Sequence, residues 1–391
     1  MKIFEKTHPW ITFRIDLRNV KPKLWLLLGE AASKCEHVAG VPLRPGTADM
    51  LHQLYLAKGA AATTSIEGNS LTENQVREHL EGKLKLPPSK EYLAQEVDNI
   101  VEAFNRIGEQ IKKGDFNLTP QKVCEYNQVV LQKLALNEGV VPGKVREHSV
   151  GIGNIYRGAP PEDCTHLLEK LCEWLGGSDF QPQTGLESVY AIIKAIVAHL
   201  YLEWIHPFGD GNGRTGRLLE FHILLAAGIP SPSAHLLSNH YNQTRPEYYR
   251  HLDMASKSGG DLLPFLEYAV QGFVDGLQEQ VQLIRSQQWD VTWRNYVHEL
   301  FRDKNSTSDV RRRHLILDMG AQEEAIPVGK MSELTPRLAK AYASKSSKTV
   351  QRDLNELERM GLAERLPHGF KAKRETILAF LPWRRKGKTQ Q

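Results

Sequence analysis

The sequence predicts a mainly α-helical protein whose body carries one small β-hairpin and whose C-terminus forms a separate α+β module. Three observations predict this. Apolar residues recur at three- and four-residue spacing through most of the first 280 positions, with helix caps at the boundaries. One stretch, GKVREHSVGIGNIYRGAPP (143–161), instead alternates around internal glycines with β-branched residues. The composition then turns basic. From Met331 onward 14 residues are Lys or Arg and six are Asp or Glu, a balance of +8 on a chain whose total is +4, leaving −4 on the rest. A basic module on a mildly acidic body suggests separate partners for the two.

At 391 residues and 41% hydrophobic content, the chain has material for about two or three cored domains at roughly 100–200 residues each. No stretch offers about 18 uncharged apolar residues, so no membrane span is expected. The opening MKIFEKTHPWITFRID lacks the apolar core of a secretory signal. Cys35, Cys124, Cys164 and Cys172 form no CxxC pair and read as reduced thiols of a cytoplasmic protein.

Taken in order, GTADMLHQLYLAKGAAA (46–62) has helical spacing and few breakers. Thr72 and Gln75 form a capping box that opens a helix toward Leu80. EYLAQEVDNIVEAFNRI repeats its apolar residues at helical spacing, and the next helix begins with Thr119 as cap and Pro120 at its first position. After the hairpin, EDCTHLLEKLCEWL resumes helix. TGLESVYAIIKAIVAHLYLEWI (184–205) is apolar on most sides, hence a core helix, with Thr184 and Glu187 as a second expected capping box. It runs directly into His206.

The stretch HPFGDGNGRTGR (206–217) opens another helix, LLEFHILLAAG, which ends at Gly228. Arg214 and Arg217 therefore occupy first turns, where the backbone dipole disfavours cations; an anion must compensate. Gly211, Asn212 and Gly213 can aim successive N–H groups at one point, an anion nest at a helix N-terminus. The two arginines, three apart, share a face and converge on it. Asp210 supplies a hard carboxylate suited to Mg²⁺. His206, at the end of the core helix, is expected to gain basicity from the dipole. Each feature alone is ordinary: a histidine after a helix usually caps it, and loop glycines usually mean a turn. Twelve residues holding all of them in one order make a phosphate site instead.

These residues match HxFx[D/E]GNGRxxR at every specified position, and the chain resembles the Fic (filamentation induced by cAMP) family over about residues 10 to 275. The resemblance implies transfer of AMP from ATP to a hydroxyl of a protein, with pyrophosphate leaving. It implies His206 as base, Asp210 on Mg²⁺, the Gly211–Asn212–Gly213 nest around phosphates, and Arg214 and Arg217 on the distal phosphates. Upstream, Thr63 and Glu67 in TTSIEGN lie four apart on one helix face, with Gly68 ending the helix. By itself Glu67 is either a solvated helix-end acid or a partner for Arg217. TTSIEG resembles the [S/T]xxxE[G/N] inhibitory motif of one Fic class, which implies that Glu67 engages Arg217 and hinders the γ-phosphate. In some relatives the same glutamate is associated with removing AMP, so de-AMPylation is a possible reverse activity.

The hairpin around 145–156 fits the family's flap, where a target segment docks as an added strand; a plain structural hairpin is the other reading. SNHYNQTRPEYYRHL resembles the nucleotide-side segment, with Tyr248 and Tyr249 as nucleotide contacts or as core aromatics. Before Pro264–Phe265 the turn is SKSGGD, without the Asn that many relatives carry there, which leaves the nucleotide donor open.

In ELTPRLAKAYASKSSKTVQRDLNELERMGLAERLPHGFKAKRE (333–375), a helix, a turn, a second helix closed by Gly361 and two strands around Pro-His-Gly resemble a winged helix-turn-helix. That reading turns Lys348, Thr349 and Arg352 toward a DNA major groove and Lys371, Lys373 and Arg374 toward phosphates, with Asp353 and Glu356 diluting the charge. The alternative is a winged helix that contacts only protein. The expected division is 1–115, an N-terminal region with the inhibitory helix; 116–280, the Fic core; 281–308, a helical linker; and 309–391, the winged helix. The expected function is an adenylyltransferase using ATP and Mg²⁺. The alternatives are a DNA-binding regulator that senses nucleotide and a transferase with another donor. The sequence leaves room for a homodimer.

Overall fold

In a computed structural model, which describes residues 2–18, 20–152 and 156–378, the chain divides into two compact units, Met1–Val281 and Gln282–Gln391. The first is helical. It opens with α1 (Phe4–Thr7) and α2 (Pro22–Gly40), followed by α3 (Pro45–Ser65), α4 (Glu73–Leu80), α5 (Glu91–Lys112) and α6 (Pro120–Leu131). The hairpin β1 (Gly151–Ile152) and β2 (Tyr156–Arg157) comes next, then α7 (Pro161–Leu175), α8 (Glu187–Ile205) and α9 (Asn212–Ala226). The unit closes with α10 (Ser231–Ala234), α11 (Leu236–Gln243), α12 (Arg245–Lys257) and the start of α13 (Leu263–Leu300).

Local signals account for several boundaries. Thr72 and Gln75 form the reciprocal capping box of α4, and Thr119 caps α6 with Pro120 behind it. The box expected at Thr184 and Glu187 does not form. Leu186 is the N-cap of α8 without a side-chain bond. Gly185 intervenes at φ +84°, and the Glu187 carboxylate accepts its N–H at 3.1 Å instead.

The centre of the unit is α8. From Ala191 to Ile205 nearly every side chain is buried, so the helix is apolar on all faces rather than along one stripe. It is the one helix among the described residues long and apolar enough to cross a membrane, yet it is enclosed by α2, α7 and α9. It packs most extensively on α9, which also meets α3, α5 and α6. The helix before His206 and the helix after the glycine-rich loop are thus fixed to one another, and the loop between them inherits their rigidity.

The hairpin is shorter than its alternation suggests. Gly151 pairs with Arg157 and Ile152 with Tyr156, while 153–155, the middle of the expected flap, lie outside the described residues. Its base is secured elsewhere: Val145 bridges to Phe208, and the Tyr156 hydroxyl donates to the Trp204 carbonyl at 2.8 Å. The expected division at residue 115 falls inside this single unit.

The second unit contains the rest of α13, then α14 (Thr307–Met319), α15 (Pro336–Tyr342), α16 (Ser347–Arg359) and the hairpin β3 (Ala363–Leu366) and β4 (Gly369–Ala372). Trp293, Val297 and Phe301 pack in one core with Leu315, Leu338, Leu354 and Phe370. Much of the segment expected as a linker over 281–308 therefore helps build this unit, because its apolar residues fill the same core. Asp353, expected to dilute a basic surface, is 1% exposed. It accepts from Arg311 Nε at 2.6 Å, Arg312 Nε at 2.9 Å and the Tyr342 hydroxyl at 3.0 Å, a buried charge matched by its partners. Arg374, expected at a phosphate-contacting edge, is instead paired with Asp290 at 2.5 Å and lies over the Trp289 ring. Ala379 and Phe380 of the expected second strand, and the basic residues 384–388, lie outside the described residues.

Candidate active site

His206 ends α8 in a left-handed conformation, φ 50° and ψ 58°, which costs a non-glycine residue about 1–2 kcal/mol and redirects the chain into the loop. Asn212 locks that loop: its Oδ1 accepts from Phe208 N–H and its Nδ2 donates to the Phe208 carbonyl, both at 2.9 Å. The Asn212 side chain is thus a brace, leaving only its backbone N–H for the nest. Gly211 sits at φ +77°, where a side chain would be strained and would also press on Asn127. From Gly211 the chain enters α9, whose first N–H groups have no acceptor within the helix.

A carboxylate sits at that helix end. Glu67 Oε1 accepts from Arg217 at 2.6 Å and lies so close to Gly213 that a Cβ there would collide with it. Glu67 stands in the turn after α3, two residues past its end at Ser65 and ahead of Gly68 at φ +100°, rather than on the helix itself. Arg217 is 1% exposed and also donates to the main-chain carbonyl of Thr63 at 2.9 Å. Thr63 therefore contributes its backbone, and its buried hydroxyl has no hydrogen-bond partner. Burial works to raise the Glu67 carboxyl, and the charge and hydrogen bond of Arg217 overcome it, so the group is held below its usual range.

Arg214 does not reach the same point. It is held between Asp210 at 3.2 Å and Glu96 at 3.4 Å, so each arginine has its own carboxylates. Asp210 also accepts from the Gly211 N–H at 2.5 Å, and its side chain remains 46% accessible. Among the described residues no cluster of three or more His, Cys, Asp or Glu gathers around a point. One open carboxylate beside an anion site suits Mg²⁺, which takes one or two protein carboxylates and completes its shell with phosphates and water.

These residues line a cavity of about 570 Å³, within the roughly 300–1,000 Å³ of small-molecule sites. The turn after α3 provides Ile66 and Glu67, the hairpin provides Gly151 and Tyr156, and α12 provides Tyr248 and Tyr249. Tyr248 is mainly a core residue: its hydroxyl meets His199 Nε2 at 2.8 Å and its ring stacks on Tyr241 at 4.8 Å. Tyr249 is 45% exposed and its hydroxyl donates to the Ile66 carbonyl at 3.1 Å, joining α12 to the Glu67 turn.

The expected dipole-raised basicity of His206 is overturned. Burial and the nearby Arg146 guanidinium outweigh the carboxylates of Glu67 and Asp210 and bring the imidazole down to about 4. It is therefore neutral, with a free lone pair, at physiological pH.

Sequence reasoning missed Arg146, Asn127 and Glu203. Arg146 Nε donates to the His206 carbonyl at 2.7 Å, and its two terminal nitrogens donate to the carbonyls of His148 at 2.7 Å and Ala159 at 2.5 Å. One fork thus fixes the base of the hairpin and the His206 backbone together. Asn127 donates to the Asp210 carbonyl at 2.9 Å and accepts from Gly143 N–H at 3.0 Å. An arginine amid a β-like stretch carries no local sign of such a role. Arg146→Ala removes three hydrogen bonds to main-chain carbonyls and is expected to remove about 3 kcal/mol from the first unit's stability, read by chemical denaturation. An unchanged midpoint would contradict this role.

A profile of the Fic/DOC family matches residues 117–224, a span that includes His206 and both arginines. The chain carries a Fic domain. Its similarity reaches beyond the matched span. The chain is 28% identical over 230 residues to the protein adenylyltransferase fic-1 of Caenorhabditis briggsae, covering 59% of this chain and 42% of that protein. It is 29% identical over 209 residues to the protein adenylyltransferase Fic of Nematostella vectensis, covering 54% and 45%. It thus spans less than half the length of these curated relatives. A crystal structure of a Fic family protein from Desulfovibrio desulfuricans superposes with a TM-score of 0.56 at 21% identity, covering 92% of this chain and 98% of that one. Fic-1 of C. elegans gives 0.54 at 24%, covering 67% and 73%. The Fic fold therefore frames the cavity, with the loop of His206 on one side and α12 on another.

Proposed function

We propose that the first unit is a protein adenylyltransferase restrained by Glu67. The observation that carries this reading is a carboxylate seated at the N-terminus of α9, between Gly213 and Arg217, beside a neutral His206 in a nucleotide-sized cavity. A phosphate has the charge and the acceptors to take that seat. In the forward reaction His206 removes the proton of a target hydroxyl, the oxygen attacks the α-phosphorus of ATP, and pyrophosphate leaves. The first N–H groups of α9 and Arg217, once Glu67 yields, stabilise the charge on the phosphates, and Arg214 lies within reach of Asp210. Mg²⁺ on Asp210 would neutralise phosphate charge. Tyr248 and Tyr249 border the nucleotide. A target segment docks along the hairpin by main-chain hydrogen bonds. The curated relatives' names support the reaction class. Transfer of label from α-labelled ATP to protein, with none from γ-labelled ATP, tests it. Label from neither, with ATP bound, would favour another donor or a nucleotide sensor; release of AMP from a modified protein would favour the reverse reaction.

For the second unit we propose a winged helix that binds DNA. What supports this is the order α14, α15, α16 and hairpin, with Lys348 and Arg352 exposed on α16 and Thr349 half-buried between them. Replacing Lys348 and Arg352 together by alanine should flatten the salt dependence of duplex binding by about two units of slope, measured by fluorescence anisotropy of the full chain. An unchanged slope would assign the module to protein contacts.

A further inference from the structure

The inference concerns Glu203 and rests on the reading of His206 as the base. Glu203 lies on α8, one turn before His206, and lines the same cavity. Its Oε2 stands 3.8 Å from His206 Nδ1, and both side chains are nearly enclosed. His206 Nδ1 and Glu203 Oε1 are each shut from solvent with no side-chain hydrogen-bond partner, and the main-chain carbonyl of Glu203 is the polar group beside the ring. The imidazole therefore presents Nε2 to the cavity and turns Nδ1 inward. A neutral imidazole that accepts a proton at Nε2 must carry its hydrogen on Nδ1, and the group facing Nδ1 selects that tautomer. The Glu203 carboxyl is the side chain that faces this ring nitrogen, its Oε2 3.8 Å away and beyond hydrogen-bond distance, so a small movement of either side chain would complete such a contact.

We propose that Glu203 is the positioning residue for His206, holding the Nδ1 hydrogen and stabilising the imidazolium that forms when Nε2 takes the target's proton. The charged and titratable groups around the pair come from every neighbouring element. They are Glu67 after α3, Arg146 before β1, Tyr156 on β2, Asp210 in the loop, Arg217 and Glu220 on α9, and Tyr248 and Tyr249 on α12. Burial, reinforced by the Glu67 charge and opposed by Arg217, pushes the Glu203 carboxyl up to about 8. Below that pH it is neutral and accepts from Nδ1–H through its carbonyl oxygen. Above it, a negative charge faces the ring and favours the imidazolium, so transfer should accelerate as pH rises. Replacing Glu67 by glycine removes the charge that raises Glu203, which places the acceleration at lower pH.

Two readouts on the full-length chain separate this inference from the reading beneath it. The ¹⁵N resonances of the His206 ring, assigned with His206→Ala, report the tautomer without turnover. The expected result is hydrogen on Nδ1 in the wild type and in Glu203→Gln, and its loss from Nδ1 in Glu203→Ala. An unaltered tautomer in Glu203→Ala would overturn the proposal and leave the role to the main-chain carbonyl of Glu203, which also stands near the ring. In the Glu67→Gly background, Glu203→Gln should abolish the alkaline rise in kcat/KM. There Glu203→Ala should lower kcat about ten- to a hundred-fold, the range for removing a residue that orients a ligating histidine, with KM for ATP unchanged. Retention of the rise in Glu203→Gln would overturn the proposal even if Glu203→Ala fails to fold. Absence of transfer in Glu67→Gly itself would fault the enzymatic reading, and the tautomer measurement would still decide the role of Glu203.

Discussion

Glu67→Gly should raise AMP transfer about ten- to a hundred-fold, since a charge-assisted hydrogen bond contributes about 1.5–3 kcal/mol and nucleotide phosphate must displace it. The carboxylate accepts from Arg217 at 2.6 Å and fills the space above Gly213. It competes for the same donors as the phosphates rather than blocking the cavity mouth. Initial rates at ATP well below saturation, compared between wild type and variant, measure the effect; equal rates would contradict it. Acid is not the release. The Glu67 carboxyl is held below its usual range, so the contact is fully present above the unfolded carboxylate pKa and is lost only as pH falls through the lowered folded value. Over the neutral range the restraint should be flat with pH, and displacement requires a competing anion or movement of the turn after α3.

In the released background, His206→Ala should reduce transfer by about 10²–10⁴-fold, the usual contribution of general-base catalysis, while leaving ATP affinity nearly intact. On the proposed reading the two effects separate because the neutral imidazole serves the hydroxyl side of the reaction, whereas the phosphate donors are the N–H groups of α9 and Arg217. The lowered imidazole pKa, about 4, sets the pH behaviour: protonation of the base limits the rate only in acid, so activity does not fall between pH 7 and pH 5 through this group. Calorimetry with ATP on the His206→Ala chain checks the binding side. A loss of affinity as large as the loss of rate would place His206 on the phosphates instead.

How far the sequence carried the fold depended on distance along the chain. Thr72 with Gln75 and Thr119 with Pro120 were legible because a cap and its partner lie within one turn. Thr184 with Glu187 had the same spacing and failed, since Gly185 adopts a positive φ that no spacing rule records. The loop after His206 reads as an anion site because its glycines and arginines are contiguous, and the structure seats the Glu67 carboxylate at Arg217 and Gly213. Its surroundings were not legible. Arg146 reaches His206 across 60 positions, and Arg217 meets Thr63 across 154, distances at which periodicity says nothing. Asp353 shows the same limit in the second unit: polar by composition, it is buried by the arginines of α14. The basicity of His206 was misread because a helix dipole is visible in sequence, whereas the burial and the Arg146 charge that outweigh it arise only in the folded chain.

The most direct test of the account is incubation with Mg²⁺ and ATP labelled at the α-phosphate, applied to wild type, Glu67→Gly, and Glu67→Gly with His206→Ala. The account predicts strong label on protein in Glu67→Gly, little in wild type and about 10²–10⁴-fold less than Glu67→Gly in the double variant. Equal label in wild type and Glu67→Gly would contradict the restraint, and label in the double variant equal to that of Glu67→Gly would contradict His206 as the base.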